Sequence, residues 1–177
     1  MIPNIITAFR FILVFPFLFF IHGTLVYTRT SIFPLIIFIL IIVSDVIDGY
    51  LARKLNRVTI LGARLDIIAD AFYSISTLVF FAYFKIVPIW FPIIVAMKLI
   101  EFIITSKIIK NKYNSNAYMI FDKIGKLAVN IVMLMPGIFL FVYIMADYKI
   151  VMNLTAYFVT ALFMASFISR MVLVLKH

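Results

Sequence analysis

The chain has 177 residues, of which 66% are hydrophobic and 13% charged; a soluble domain is nearer roughly half apolar and a quarter charged, so this composition belongs to an integral membrane protein. A helix crosses the hydrocarbon core with roughly 20 apolar residues at about 1.5 Å each, so the length holds about six crossings and leaves no room for a soluble domain or an internal repeat. Cysteine is absent, which excludes disulfides, thiolate metal sites and a cysteine nucleophile.

The first apolar run, Met1–Gly23, has no positive cluster before it and no small-x-small cleavage site after it. It reads as a retained helix rather than a signal peptide. Breaks near Tyr27–Ser31, Arg53–Leu61, Lys85–Pro88, Lys107–Lys123 and Ala146–Lys149 divide the chain into six predicted helices, 5–26, 32–52, 61–84, 88–108, 124–145 and 150–175. The first, third and fifth breaks carry one basic residue each, Arg29, Lys85 and Lys149. The second carries Arg53, Lys54 and Arg57, with Arg64 just beyond; the fourth carries Lys107, Lys110, Lys112 and Lys123, with Lys126 just beyond. The positive-inside rule puts those two loops and both termini in the cytoplasm. The expected fold class is therefore an all-α membrane protein, six transmembrane helices in one integral domain over 1–177, seated in the cell (inner or plasma) membrane.

The net charge of +9 sits beside these helices, where it marks topology and meets anionic headgroups of membrane lipids, so no nucleic-acid partner is expected. Trp90 and Tyr83, beside Lys85, fit an outer interfacial belt.

Four of the seven acidic residues fall between Asp45 and Asp70. Separations of three and four share a helix face. Asp45, Asp48, Gly49 and Ala52 form one stripe near the cytoplasmic end of the second helix. Gly62, Asp66 and Asp70 form another near the start of the third. A short hairpin connection lets the stripes face each other, with glycine and alanine leaving space for a close helix or a substrate.

Carboxylates cost about 2.5–3.5 kcal/mol each near the bilayer centre, and repulsion adds to this. One compensation is an ion-pair network with nearby arginines, although Arg53, Lys54 and Arg57 can reach water and headgroups instead. The other is a pair of divalent cations, for which an all-oxygen set suits Mg²⁺ or Mn²⁺ rather than zinc. Asp45 lies roughly 10 Å from the end of its helix at 1.5 Å per residue, under the cytoplasmic headgroups. A soluble group can enter there while acyl chains stay in lipid. Paired metals on carboxylates suit phosphoryl transfer, and a carboxylate not consumed by metal can take a proton from an attacking hydroxyl.

The pattern Asp45-x2-Asp48-Gly49-x2-Ala52-Arg53-x8-Gly62-x3-Asp66-x3-Asp70 resembles, without a gap, the signature of the CDP-alcohol phosphotransferases (phosphatidyltransferases). The resemblance implies attack of an alcohol on the lipid-proximal phosphorus of CDP-diacylglycerol, with CMP leaving. It implies Asp45, Asp48 and Asp66 as metal ligands, and Asp70 as general base and second-metal ligand. It further implies Gly49, Ala52, Arg53 and Gly62 around the nucleotide and pyrophosphate, Mg²⁺ as the metal, and a homodimer.

Pro3, Asn4, Thr7 and Arg10 resemble the opening of phosphatidylglycerophosphate synthases and cardiolipin-synthase relatives. Glu101-Phe102 and Gly125-Lys126 resemble two further segments of the former. Ile100, Ala128, Val129 and Ala71 depart from that subfamily's pattern, removing expected cations. Lys126, Arg170, Lys107 and Lys123 are the substitutes for holding a phosphorylated acceptor, with glycerol 3-phosphate the first expectation. Inositol phosphate, serine or a lipid alcohol are alternatives. Lys98 and Glu101, spaced i, i+3, most simply neutralise each other, and His22 falls toward the outer surface. A cation transporter and a non-catalytic CDP-lipid-binding protein are the rival readings. A transporter favours midplane sites and repeats, whereas these acids lie near one face.

Overall fold

The computed structural model describes residues 2–27, 32–54, 60–112, 122–143 and 148–175, and side chains at 9–27, 32–47, 54, 62, 65–109, 122–143 and 148–175. Within them every regular element is an α-helix: α1 (Ile2–Tyr27), α2 (Phe33–Lys54), α3 (Ile60–Tyr83), α4 (Trp90–Lys112), α5 (Lys123–Val142) and α6 (Tyr148–Leu175). Among the described residues, four stretches are long and apolar enough to cross a bilayer: Phe9–Tyr27, Leu65–Tyr83, Lys123–Val142 and Tyr148–Leu175. In α2 the described apolar part is Phe33–Ile47, and it carries Asp45 near its end. Lys98, Glu101 and the terminal lysines dilute the apolar part of α4.

The chain divides into two compact units, Met1–Thr77 and Leu78–His177. In the first, α1 packs along α2. Leu13, Val14, Phe17 and Ile21 are the buried face of α1, and Ile37 and Ile41 that of α2. Ala69 and Tyr73 bury from α3, where the Tyr73 ring lies 5.9 Å from that of Phe17. Phe20 stacks on Phe33 at 5.2 Å. Each inward face repeats every three or four residues, as helical geometry demands; the outward faces are apolar too and suit lipid.

In the second unit α6 packs against both α4 and α5. Its buried stripe, Met152, Ala156, Val159, Phe163, Ser166 and Arg170, runs the length of the helix. It meets Ala128, Val132, Met135 and Phe139 of α5 among the buried residues. Phe139 also touches Phe81 at 4.8 Å and Tyr148 at 5.7 Å. The turn after α3 has paired bonds: Ile86 N–H donates to Phe81 C=O and Lys85 N–H to Ala82 C=O. Lys85 there takes φ 55°, the left-handed helix stop.

Helix ends differ from the hydropathy breaks by a few residues. α4 continues past Lys107 to Lys112, since an apolar run ends at the membrane boundary whereas a helix continues into water. α5 starts at Lys123 because Asp122 caps it, its side chain accepting from Gly125 N–H at 2.7 Å.

Candidate active site

The inward faces of α1, α2 and α3 change character toward one end. One turn beyond Ile41, the α2 face carries Asp45; one and two turns before Tyr73 on α3 stand Asp70 and Asp66; one turn before Leu13 and Val14 on α1 stands Arg10. Apolar packing thus aims four charged groups at one place. The three carboxylates each offer an oxygen lying within 4.8 Å of the other two.

Arg10, fully buried, joins them. Its Nη2 donates to Asp45 Oδ1 at 2.8 Å, and its Nη1 donates to Asp66 Oδ1 at 3.2 Å and to Asp70 Oδ1. The carboxylates stay open to their surroundings, 34%, 44% and 25% exposed for Asp45, Asp66 and Asp70. Gly62 lies one turn before Asp66, half-buried. The side chains of Asp48, Gly49, Ala52 and Arg53, and of Asn4 and Thr7, lie outside the described residues.

The carboxylates fit a hard divalent cation: all donors are oxygens, they converge, and they are partly accessible. All three could hold one such ion if their oxygens, within 4.8 Å of one another, close in slightly. The ion-pair alternative is present as well, through Arg10 rather than the loop arginines. Sequence reading missed Arg10 as the counter-ion. The available signal was a lone cation inside an apolar run, which requires a partner.

A second polar centre lies in the Leu78–His177 unit. Arg170, 1% exposed, donates from Nε to Thr105 Oγ1 at 2.7 Å and from Nη2 to Ser106 Oγ at 2.9 Å and Phe102 C=O at 3.2 Å. Nη1 reaches Asp122 Oδ1 at 3.4 Å, and the guanidinium lies 4.8 Å over the Phe102 ring. Lys98 Nζ pairs with Glu101 Oε2 at 2.6 Å, as their spacing led us to expect. Burial of Asp122 favours its neutral form, but the Gly125 N–H and the Ser166 hydroxyl, with a smaller part from the charge of Lys98, outweigh this and hold the carboxyl below its usual range. Of the expected acceptor-binding cations, Arg170 is therefore buried in a network of its own, while Lys107, Lys123 and Lys126 are exposed. His22 is exposed as well.

A sequence model of the CDP-alcohol phosphatidyltransferase family matches residues 1–166. The chain belongs to that family. Membership and the four apolar spans together make this phosphatidyltransferase-family chain a multi-pass membrane protein. A CDP-diacylglycerol–glycerol-3-phosphate 3-phosphatidyltransferase of Wigglesworthia glossinidia brevipalpis is 49% identical over 69 residues, 39% of this chain and 37% of the relative. A cardiolipin synthase (CMP-forming) of Streptomyces coelicolor is 44% identical over 52 residues, 29% of this chain and 24% of the relative. In both, the match spans well under half of the relative's own length. A longer match, 29% identical over 140 residues, covers 77% of this chain and 75% of a CDP-diacylglycerol–glycerol-3-phosphate 3-phosphatidyltransferase of Aquifex aeolicus.

Proposed function

We propose that this family member is an enzyme of phospholipid synthesis that transfers a phosphatidyl group from CDP-diacylglycerol to glycerol 3-phosphate and releases CMP. The observation that carries the reading is the family match across residues 1–166, over a fold in which Asp45, Asp66 and Asp70 converge. The glycerol 3-phosphate acceptor follows the printed activities of the Wigglesworthia and Aquifex relatives. The Streptomyces relative supports a lipid alcohol as the second reading.

Asp45, Asp48, Asp66 and Asp70 would hold two Mg²⁺ ions, with Mn²⁺ a substitute. Bound there, the metal supplies charge neutralisation for the diphosphate and its CMP leaving group. Asp70 accepts the proton of the acceptor hydroxyl. The alcohol oxygen forms a bond to the lipid-proximal phosphorus as that phosphorus loses its bond to CMP. Gly49, Ala52, Arg53 and Gly62 are assigned to the nucleotide and pyrophosphate. Lys126, Lys107 and Lys123 are assigned to the acceptor phosphate, and Arg170 serves it by ordering α4 and the start of α5. The same reading takes all six helices as crossings of the cell membrane, both termini and the active site on the cytoplasmic side, and a homodimer as the working unit.

The test is CMP release by purified protein given CDP-diacylglycerol, Mg²⁺ and one acceptor at a time. Glycerol 3-phosphate should support turnover, and EDTA should abolish it. Asp70→Asn should lower kcat by at least ~10²-fold, the scale of general-base catalysis, while CDP-lipid binding largely survives. No CMP with any acceptor would overturn the enzyme reading.

A further inference from the structure

The two buried arginines of this chain are held in opposite ways. Arg170 has Nε and both terminal nitrogens engaged by neutral and charged partners, as a permanently seated buried arginine should. Arg10 is 0% exposed, yet its Nε has no hydrogen-bond partner among the described residues. All its described ion pairs go to Oδ1 of Asp45, Asp66 and Asp70, on carboxylates that themselves remain partly open. Among the described residues, a single guanidinium thus bridges three carboxylates, each through one oxygen.

We propose that Arg10 is an exchangeable internal counter-ion. It neutralises Asp45, Asp66 and Asp70 while they hold no divalent cation, and gives up those carboxylates when one binds. This rests on the metal reading of the cluster given above. The guanidinium and an ion would compete for the same three carboxylates, whose converging oxygens lie within 4.8 Å of one another. Two cations crowded on those oxygens would repel strongly in a site of low dielectric. Without Arg10, the metal-free protein would leave three carboxylates facing one another at the end of apolar helices, a costly arrangement. With it, part of that repulsion is offset until metal arrives.

The test measures Mn²⁺ binding to the full-length protein in detergent, without substrate, from the electron paramagnetic resonance of the free ion. Arg10→Gln should bind Mn²⁺ roughly tenfold tighter than wild type, equivalent to ~1.4 kcal/mol, because the ion no longer displaces a competitor. Its melting temperature should fall in EDTA and rise more on adding Mn²⁺ than that of wild type. Arg10→Lys keeps the charge but not the forked contact, so its affinity should lie between the two; it carries the comparison if the glutamine variant does not fold without metal. Equal or weaker Mn²⁺ binding in the variants would overturn the exchange while leaving the metal site standing, since a fixed clamp helps its ligands. Failure of the wild type to bind Mn²⁺ would overturn both the exchange and the metal reading.

Discussion

Lys85 occupies a left-handed backbone position, φ 55°, that costs an L-residue about 1–2 kcal/mol and glycine almost nothing. Lys85→Gly should therefore raise stability by about 0.5–1 kcal/mol after glycine's larger entropy loss, read as a higher melting temperature with the paired turn bonds retained. Gly125 is the reverse case. A methyl there would stand 2.7 Å from Asp122 Oδ1 and from Ser166 Oγ, so Gly125→Ala should break the α5 cap and cost about 1–2 kcal/mol. Neither role was legible in the sequence. "GK" read as part of a subfamily phrase, and a lysine in a short loop carries no mark of its dihedral. The aspartates were legible because their intervals are helical and acids are scarce in this chain. Arg10 stood in the quoted opening pattern, but its partners lie 35, 56 and 60 residues away, a distance that helical periodicity does not span.

At the scale of the element, helices were the most readable feature, since apolar runs of this length have few alternatives. Their ends were less so, because hydropathy marks the membrane boundary while caps and turns mark the helix. Asp122 shows what a cap adds. Its carboxyl is held below the usual range chiefly by the Gly125 N–H and the Ser166 hydroxyl, against the effect of burial. The folded value is thus lower than the ~3.9 of an unfolded aspartate. This stabilisation is complete above that unfolded value and is lost as pH falls through the folded one. Asp122→Asn should consequently lower the melting temperature at pH 7, and the gap to wild type should narrow below pH ~4. A constant gap across that window would show that the charge of Asp122 contributes nothing.

For the whole molecule, charge placement supplies an expected topology and the acidic stripes an expected chemistry, while the division into two units left no trace in composition. The absence of cysteine makes the topology directly testable. Single cysteines at Lys85 and at Lys107, both exposed, should react with an impermeant thiol reagent from opposite sides of the membrane, Lys107 from the cytoplasmic side. Labelling of both from one side would overturn the crossing of α4. The acceptor was not legible, because choosing it depends on which cations are free to meet a phosphate. Position 100 is an exposed isoleucine, and the one buried arginine of α6 is committed to Thr105, Ser106 and Phe102. That commitment also imposes a schedule on biogenesis. Arg170 reaches partners made 48 to 68 residues earlier, a delay of several seconds at ~5–20 residues per second. During that interval Glu101 of the nascent α4, at the insertion machinery, has Lys98 and Thr105 of its own helix as described partners but not Arg170. A chain ending before α6 should be retained there and degraded rather than accumulate in the bilayer.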